Sequence, residues 1–358
     1  MVQDAIGREG AAAPVHHSLG LYFFSALEGA PGPEAPDDAA AYHLLIDAAV
    51  SADELGLDFV WVPERHFTPF GGGHPNPAVI AAALAVRTRR VRIRAGSVVL
   101  PLHDPLRVAE EWAVVDNLSN GRVEISSATG WNPKDFVLAP DAFIDRAHRA
   151  RQNLATVQDL WSGKEISRAG PDGVEYPVRT YPRPVQPSLP YWITAAGNPD
   201  TFVYAGEAGA GVLTSYGLFP ADRLAELIAT YRSAYAAHHE GQGRVAVMAH
   251  TAIGEDGAAI RHHAESPLRT YLAAYLNQQD GQADVAVREK ILDLAVQRYL
   301  HGRSLIGDPT EVLAGIRQMH ATGADEIACL VDFGLPRETV LHTVSELAQL
   351  RSDAAEPA

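Results

Sequence analysis

The chain has 358 residues, 47% hydrophobic and 20% charged, which is enough apolar material for one large core. A formal net charge of -15 with no Lys/Arg-rich run excludes a general nucleic-acid binder, which needs a basic footprint. No apolar run approaches the roughly 18 residues of a membrane-spanning helix, and a single cysteine, Cys329, excludes an internal disulfide framework and points to a reducing cytoplasm.

In chain order, residues 1–17 carry an early Asp and no apolar stretch, so they read as a disordered leader rather than a signal peptide. Strand-like runs then follow at 19–24, 57–62, 91–100, 122–128, 191–195, 211–215, 245–253 and 326–331. Helical periodicity fills the gaps at 38–56, 77–87, 105–118, 143–161, 199–207, 221–239, 309–322 and 336–350. Eight strands alternating with helices predict an α/β fold, a (β/α)8 TIM barrel, over residues 18–351. An open, doubly wound sheet competes. It would place a GxGxxG fingerprint after the first strand, where a Pro-rich loop stands instead.

Two stretches break the repeat. Residues 163–188 hold five prolines and read as an insertion or short hairpin after the fourth strand. Residues 256–307 read as a mainly helical insertion after the seventh, and 352–358 as a disordered tail.

Barrel sites lie at the C-terminal ends of the strands. Those ends carry Phe23, Phe24 and Ser25; Glu64, Arg65 and His66; Gly96 and Ser97; Ala128, Thr129, Gly130 and Trp131; then Ala196, Gly197 and Asn198. Small, polar and aromatic residues of this kind suit a flat cofactor with a phosphate tail. The segment AAGNPDTF at 195–202 is a candidate phosphate site, because backbone N–H groups at a helix N-terminus attract anions. An ordinary barrel turn with an Asn cap explains the same residues. The His pairs at 16–17, 238–239 and 262–263 lack a third ligand at metal spacing, so no metal is expected. Without a Gly-x-Ser-x-Gly elbow, a hydrolase is not supported.

The stretches VWVPERHFTPFGG (60–72), GSVVLPLHDPLRVAEEWAVVDNLSNGRVEISSATGWNPKDF (96–136), YWITAAGN (191–198) and LIGDPTEVLAGIRQMHATGADEIAC (305–329) resemble the bacterial luciferase-like flavin-dependent monooxygenases. The GGGHPNP loop and the ATGWNPKDF element resemble the members associated with polyketide and non-ribosomal peptide biosynthesis. The resemblance implies a two-component enzyme. Reduced FMN from a separate flavin reductase and dioxygen would hydroxylate an organic substrate, with an acyl or aminoacyl unit on a carrier protein as the narrower expectation. It also implies a cis peptide at Gly96–Ser97 under the flavin ring, the flavin phosphate over Ala196, Gly197, Asn198 and Thr201, and Thr129 and Trp131 near the cofactor. Family members often form homodimers through helices near strands two and three; the apolar stretches 81–86 and 108–115 would supply such a face, and a buried core face explains them equally well.

The chain departs from the luciferases where they carry two adjacent histidines. Here the first is Arg65 and only His66 remains. Arg65 stays protonated at neutral pH and is expected to bind a substrate carboxylate or phosphate, or to stabilise developing negative charge. His66 is the candidate acid/base group. Glu64 reads as an ion-pair partner of Arg65 or Arg94. Two alternatives stay open: hydride transfer with a deazaflavin, and a non-catalytic flavin-binding subunit.

Overall fold

The computed structural model describes residues 18–24, 38–279 and 285–354. The expected leader, Ser25 and residues 355–358 of the expected tail lie outside them.

The chain starts with β1 (Ser18–Tyr22), α1 (Asp38–Leu55), β2 (Phe59–Val62) and α2 (Pro77–Arg87). It continues with β3 (Arg92–Val99), α3 (Pro105–Ser119), β4 (Val123–Ala128) and α4 (Arg146–Ser162). An antiparallel hairpin, β5 (Ile166–Ala169) and β6 (Glu175–Val178), occupies the Pro-rich stretch. Next come β7 (Tyr191–Thr194), α5 (Pro199–Glu207), β8 (Gly211–Ser215), α6 (Ala221–His238) and β9 (Val245–Ile253). Two long helices, α7 (Gly257–Gln279) and α8 (Val285–Leu300), precede β10 (Leu305–Gly307), α9 (Pro309–Ala321), β11 (Glu326–Leu330) and α10 (Arg337–Ala354).

Eight of these strands form a closed parallel barrel in the order β1-β2-β3-β4-β7-β8-β9-β11, with β11 pairing back onto β1. The chain is therefore a (β/α)8 barrel. Strand β10 was not foreseen. It adds to the far half of β9, pairing Leu305 with Thr251 and Gly307 with Ile253, while the near half of β9 pairs with β11.

The helices begin where side chains satisfy their free N–H groups. Asn76 Oδ1 accepts from Ala78 and Val79 ahead of Pro77, and Asp104 caps α3 ahead of Pro105. Asp308 and Glu311 form a capping box on α9. Gly20 is required by packing, since a Cβ there would lie 2.3 Å from the Phe59 carbonyl oxygen.

The lower barrel is plugged by aromatic rings around a buried cation. The Arg94 guanidinium lies 4.2 Å from the Phe59 ring centroid and 4.9 Å from that of Trp192. Its Nε meets Glu124 at 3.0 Å and its Nη1 pairs with Glu326. Trp192 donates to the same Glu124 at 2.6 Å. Arg94 is thus fully engaged below the site and is not the partner of Glu64.

Candidate active site

Above this plug, the strand ends enclose a cavity of about 800 Å³, toward the upper end of the roughly 300–1,000 Å³ usual for ligand sites. Of the residues singled out from sequence, Glu64, Arg65, Gly96, Ser97, Thr129, Trp131, Ala196, Asn198 and Thr201 line it. His66 and Gly197 do not. Gly197 instead has φ +130°, and a Cβ there would press on Phe219 at 2.7 Å. Its role is to let the turn pass close beneath that ring.

The middle of the floor is the Gly96–Ser97 peptide, which is cis. Tyr22 donates its hydroxyl to the Gly96 carbonyl. Ser97 Oγ meets Thr194 Oγ1, which meets Ser126 Oγ at 2.7 Å, so a row of hydroxyls crosses β3, β7 and β4. The register between β3 and β4 slips between Ala95 and Val98, as at a β-bulge, and re-aims the end of β3.

One end of the cavity suits a phosphate. Ala196, Asn198 and Thr201 lie at the start of α5, where Asn198 Oδ1 accepts from the Asp200 N–H at 3.0 Å. Two cations that sequence reasoning missed, Arg146 and Arg151 on α4, line the same cavity. Arg146 Nε donates to the Gly130 carbonyl at 3.1 Å, and the Arg151 guanidinium sits 4.1 Å from the Tyr204 ring centroid. Their spacing of five on a charged helix reads in sequence as solvated surface. The Asp200 carboxylate also lines the cavity, so the arginines must offset it before an anion binds.

Glu64 corrects an expectation. Neither Arg65 nor Arg94 pairs with it. Its carboxylate is fully buried and takes three donors: the Val99 N–H at 2.7 Å on Oε2, and His66 Nε2 at 2.8 Å and His103 Nε2 at 2.6 Å on Oε1. Burial alone pushes the Glu64 pKa up, but these donors outweigh it and hold the carboxyl below its usual range. Burial conversely lowers the His103 pKa, and the Glu64 carboxylate more than reverses this, leaving it raised. Glu64, His66 and His103 are the one group among the described residues close enough to ligate a metal. Their separations are those of hydrogen bonds, and each imidazole has an acceptor without an ion. The geometry orients His66 toward Glu64 rather than the cavity.

Arg65 is also committed. Its Nη1 meets Asp135 at 3.0 Å, with both side chains 5% exposed. Its guanidinium lies 4.7 Å from the Trp131 ring centroid, and its Nη2 donates to Gln278 on α7. Gln278 Nε2 reaches back to Thr68 Oγ1 at 2.9 Å. Burial works against both charges, pushing the Arg65 pKa down and that of Asp135 up. Arg65 therefore ties the loops after β2 and β4 to α7. An anionic substrate would have to displace Asp135 to reach it. Asp135 was legible only as part of the GWNPKDF element.

The luciferase-like monooxygenase family model matches residues 19–326. The chain belongs to the luciferase-like monooxygenases. It is an oxidoreductase of that class. It is 25% identical over 311 residues to the oxygenase component of the flavin-dependent trigonelline monooxygenase of Acinetobacter baylyi, covering 83% of this chain and 85% of that one. It is 35% identical over 182 residues to the F420-dependent glucose-6-phosphate dehydrogenase of Amycolatopsis mediterranei, covering 48% of this chain and 53% of that enzyme. The monooxygenase RslO1 of Streptomyces bottropensis superposes with a TM-score of 0.79 at 25% identity, covering 93% of this chain and 98% of that one. Among the described residues of this luciferase-like monooxygenase, no helix is long and apolar enough to cross a membrane.

Proposed function

We propose that this monooxygenase is the oxygenase of a two-component system, using reduced FMN from a separate reductase and dioxygen to hydroxylate an intermediate of natural-product biosynthesis. The observation that carries the reading is the cavity itself. One chamber joins a cationic, helix-capped end, built by Arg146, Arg151, Asn198 and Thr201, to a floor at Gly96–Ser97. That donor set fits a terminal phosphate monoester, because two guanidinium-bearing side chains and the N-terminus of α5 line the same cavity. A bound reduced flavin supplies the electrons that activate dioxygen. One oxygen atom enters the substrate and the other leaves as water.

The chain's own residues position and enclose. The Tyr22 hydroxyl fixes the Gly96 carbonyl, so the floor stays aligned under a planar ring. Glu64 and its two imidazoles hold the end of β3 through the Val99 N–H. His66 is the proposed proton carrier only by way of Glu64, its partner here. Trp131 and Arg65 roof the chamber with α7, which limits water entry. A carrier-bound acyl or aminoacyl substrate and a homodimer rest on the resemblance alone.

The alignment with the F420-dependent dehydrogenase favours a second reading, hydride transfer with a deazaflavin. Anaerobic titration with reduced FMN and with reduced F420, followed by mixing with oxygenated buffer, separates the two. The proposal expects tighter binding of reduced FMN and protein-bound reoxidation slower than that of free flavin. Preference for F420, with free-rate reoxidation of FMN, would overturn it.

A further inference from the structure

The chamber has a second half with a different chemistry. The phosphate end belongs to β4, β7 and their helices. Across the ring, at β9, β1 and β2, the lining changes to aromatic side chains: Phe24, Phe70, His250, and Tyr271 and Tyr275 from α7. These rings touch one another edge to face or tilted. Phe70 and Tyr271 have centroids 4.8 Å apart at 64°, and His250 and Tyr271 4.8 Å apart at 79°. Phe24 joins Phe70 at 5.0 Å, and Tyr275 joins Trp131 at 6.4 Å and 71°.

Little net charge faces this wall. Arg65 is neutralised by Asp135, and the Asp332 carboxylate behind it accepts the Phe24 N–H at 2.8 Å. Complete burial holds His250 neutral, pushing its pKa down to about 3. An anion on this side would meet the field of Asp332, which adds to the larger effect of burial in pushing up the Tyr22 and Tyr271 pKa values, while Arg65, the cation lining this side, is already paired with Asp135. A flexible alkyl chain would gain contact but lose its rotameric freedom. A flat ring loses none, and it extends the edge-to-face arrangement already present.

We infer that this half of the cavity takes a neutral, planar aromatic substrate, with Tyr275 and Tyr271 as its specificity-determining residues. The inference rests on the flavin reading, which assigns the opposite half.

The test is calorimetric titration of the full chain with three probes, 2-naphthol, 2-naphthoate and n-decanal, each with and without FMN. Naphthol should bind about tenfold tighter than either other probe, and FMN should not displace it. Tyr275→Leu keeps the apolar surface but removes the ring. It should weaken naphthol about tenfold and leave decanal unchanged. Equal or tighter binding of decanal or naphthoate, displacement of naphthol by FMN, or unaltered naphthol affinity in Tyr275→Leu would each overturn the inference. The comparison of probes on the unmodified chain stands even if a variant misfolds. No oxygen chemistry is read, so failure here leaves the flavin reoxidation result intact, and failure of that reading leaves the probe ranking measurable.

Discussion

Arg65 and Asp135 meet at 3.0 Å although 70 residues separate them, and neither side chain keeps more than 5% of its surface in contact with solvent. The pair binds the loop after β2 to the loop after β4 over the mouth of the cavity. Its value lies in mutual compensation, because either charge alone would be stranded.

Removing one partner should therefore cost more than removing both. Asp135→Ala is expected to lower unfolding free energy by about 3–5 kcal/mol. The double variant Arg65→Met, Asp135→Leu should recover most of that loss. Urea denaturation of the three proteins checks this, and equal losses in the single and double variants would argue against a compensated pair.

The two arginines on α4 should recognise phosphate and nothing else of the cofactor. Arg146→Ala and Arg151→Ala are each expected to weaken FMN binding by roughly tenfold or more, since a hydrogen bond to a charged group contributes about 1.5–3 kcal/mol. Riboflavin, which lacks the phosphate, should bind all forms alike. Equilibrium dialysis with both ligands reads the difference.

The Glu64 cluster should leave a signature in the pH dependence of stability. Glu64 is depressed in the folded state, so its contribution is present above the ordinary carboxyl value of 4.5 and lost as pH falls through the lower folded value. His103 is raised, so its contribution is present below the ordinary imidazole value of 6.5 and lost as pH rises through the higher folded value. The stability gap between the unmodified chain and Glu64→Gln should thus be widest between about pH 4.5 and 6.5 and narrow on both sides. A gap that does not vary with pH would show that the cluster is not ionised as described.

Backbone proximity makes Gly20 a sensitive position. Gly20→Ala places a methyl group 2.3 Å from the Phe59 carbonyl oxygen, where β1 meets β2. A loss of about 1–3 kcal/mol is expected from the forced shift. Thermal unfolding, with cofactor affinity as a control, measures whether the damage stays in the packing.

The barrel was legible because its apolar strand runs alternate with helical stretches, four of which open on an Asn-Pro or Asp-Pro cap. The helix predicted at 77–87 starts and ends where α2 does. Strand β10 was not legible, since its three residues carry no period and owe their extension to pairing with β9. The cis peptide expected at Gly96–Ser97 from family resemblance is present. Pairings between distant residues were the main failure. Nothing local in VPERHF says that Glu64 will meet His103 or that Arg65 will meet Asp135, because folding brings together segments with unrelated periodicities. The helical and aromatic half of the cavity was visible only as an interruption of the repeat.

Strand β10 returns the chain to the same strand, β9, from which α7 and α8 departed. Both ends of that excursion are therefore anchored side by side, within one rigid strip of the barrel. The helices between them bring Tyr271, Tyr275 and Tyr299 to the cavity, so one contiguous excursion from a single strand supplies three of its rings, while Gly96–Ser97 and the α4 arginines stand on other units of the barrel.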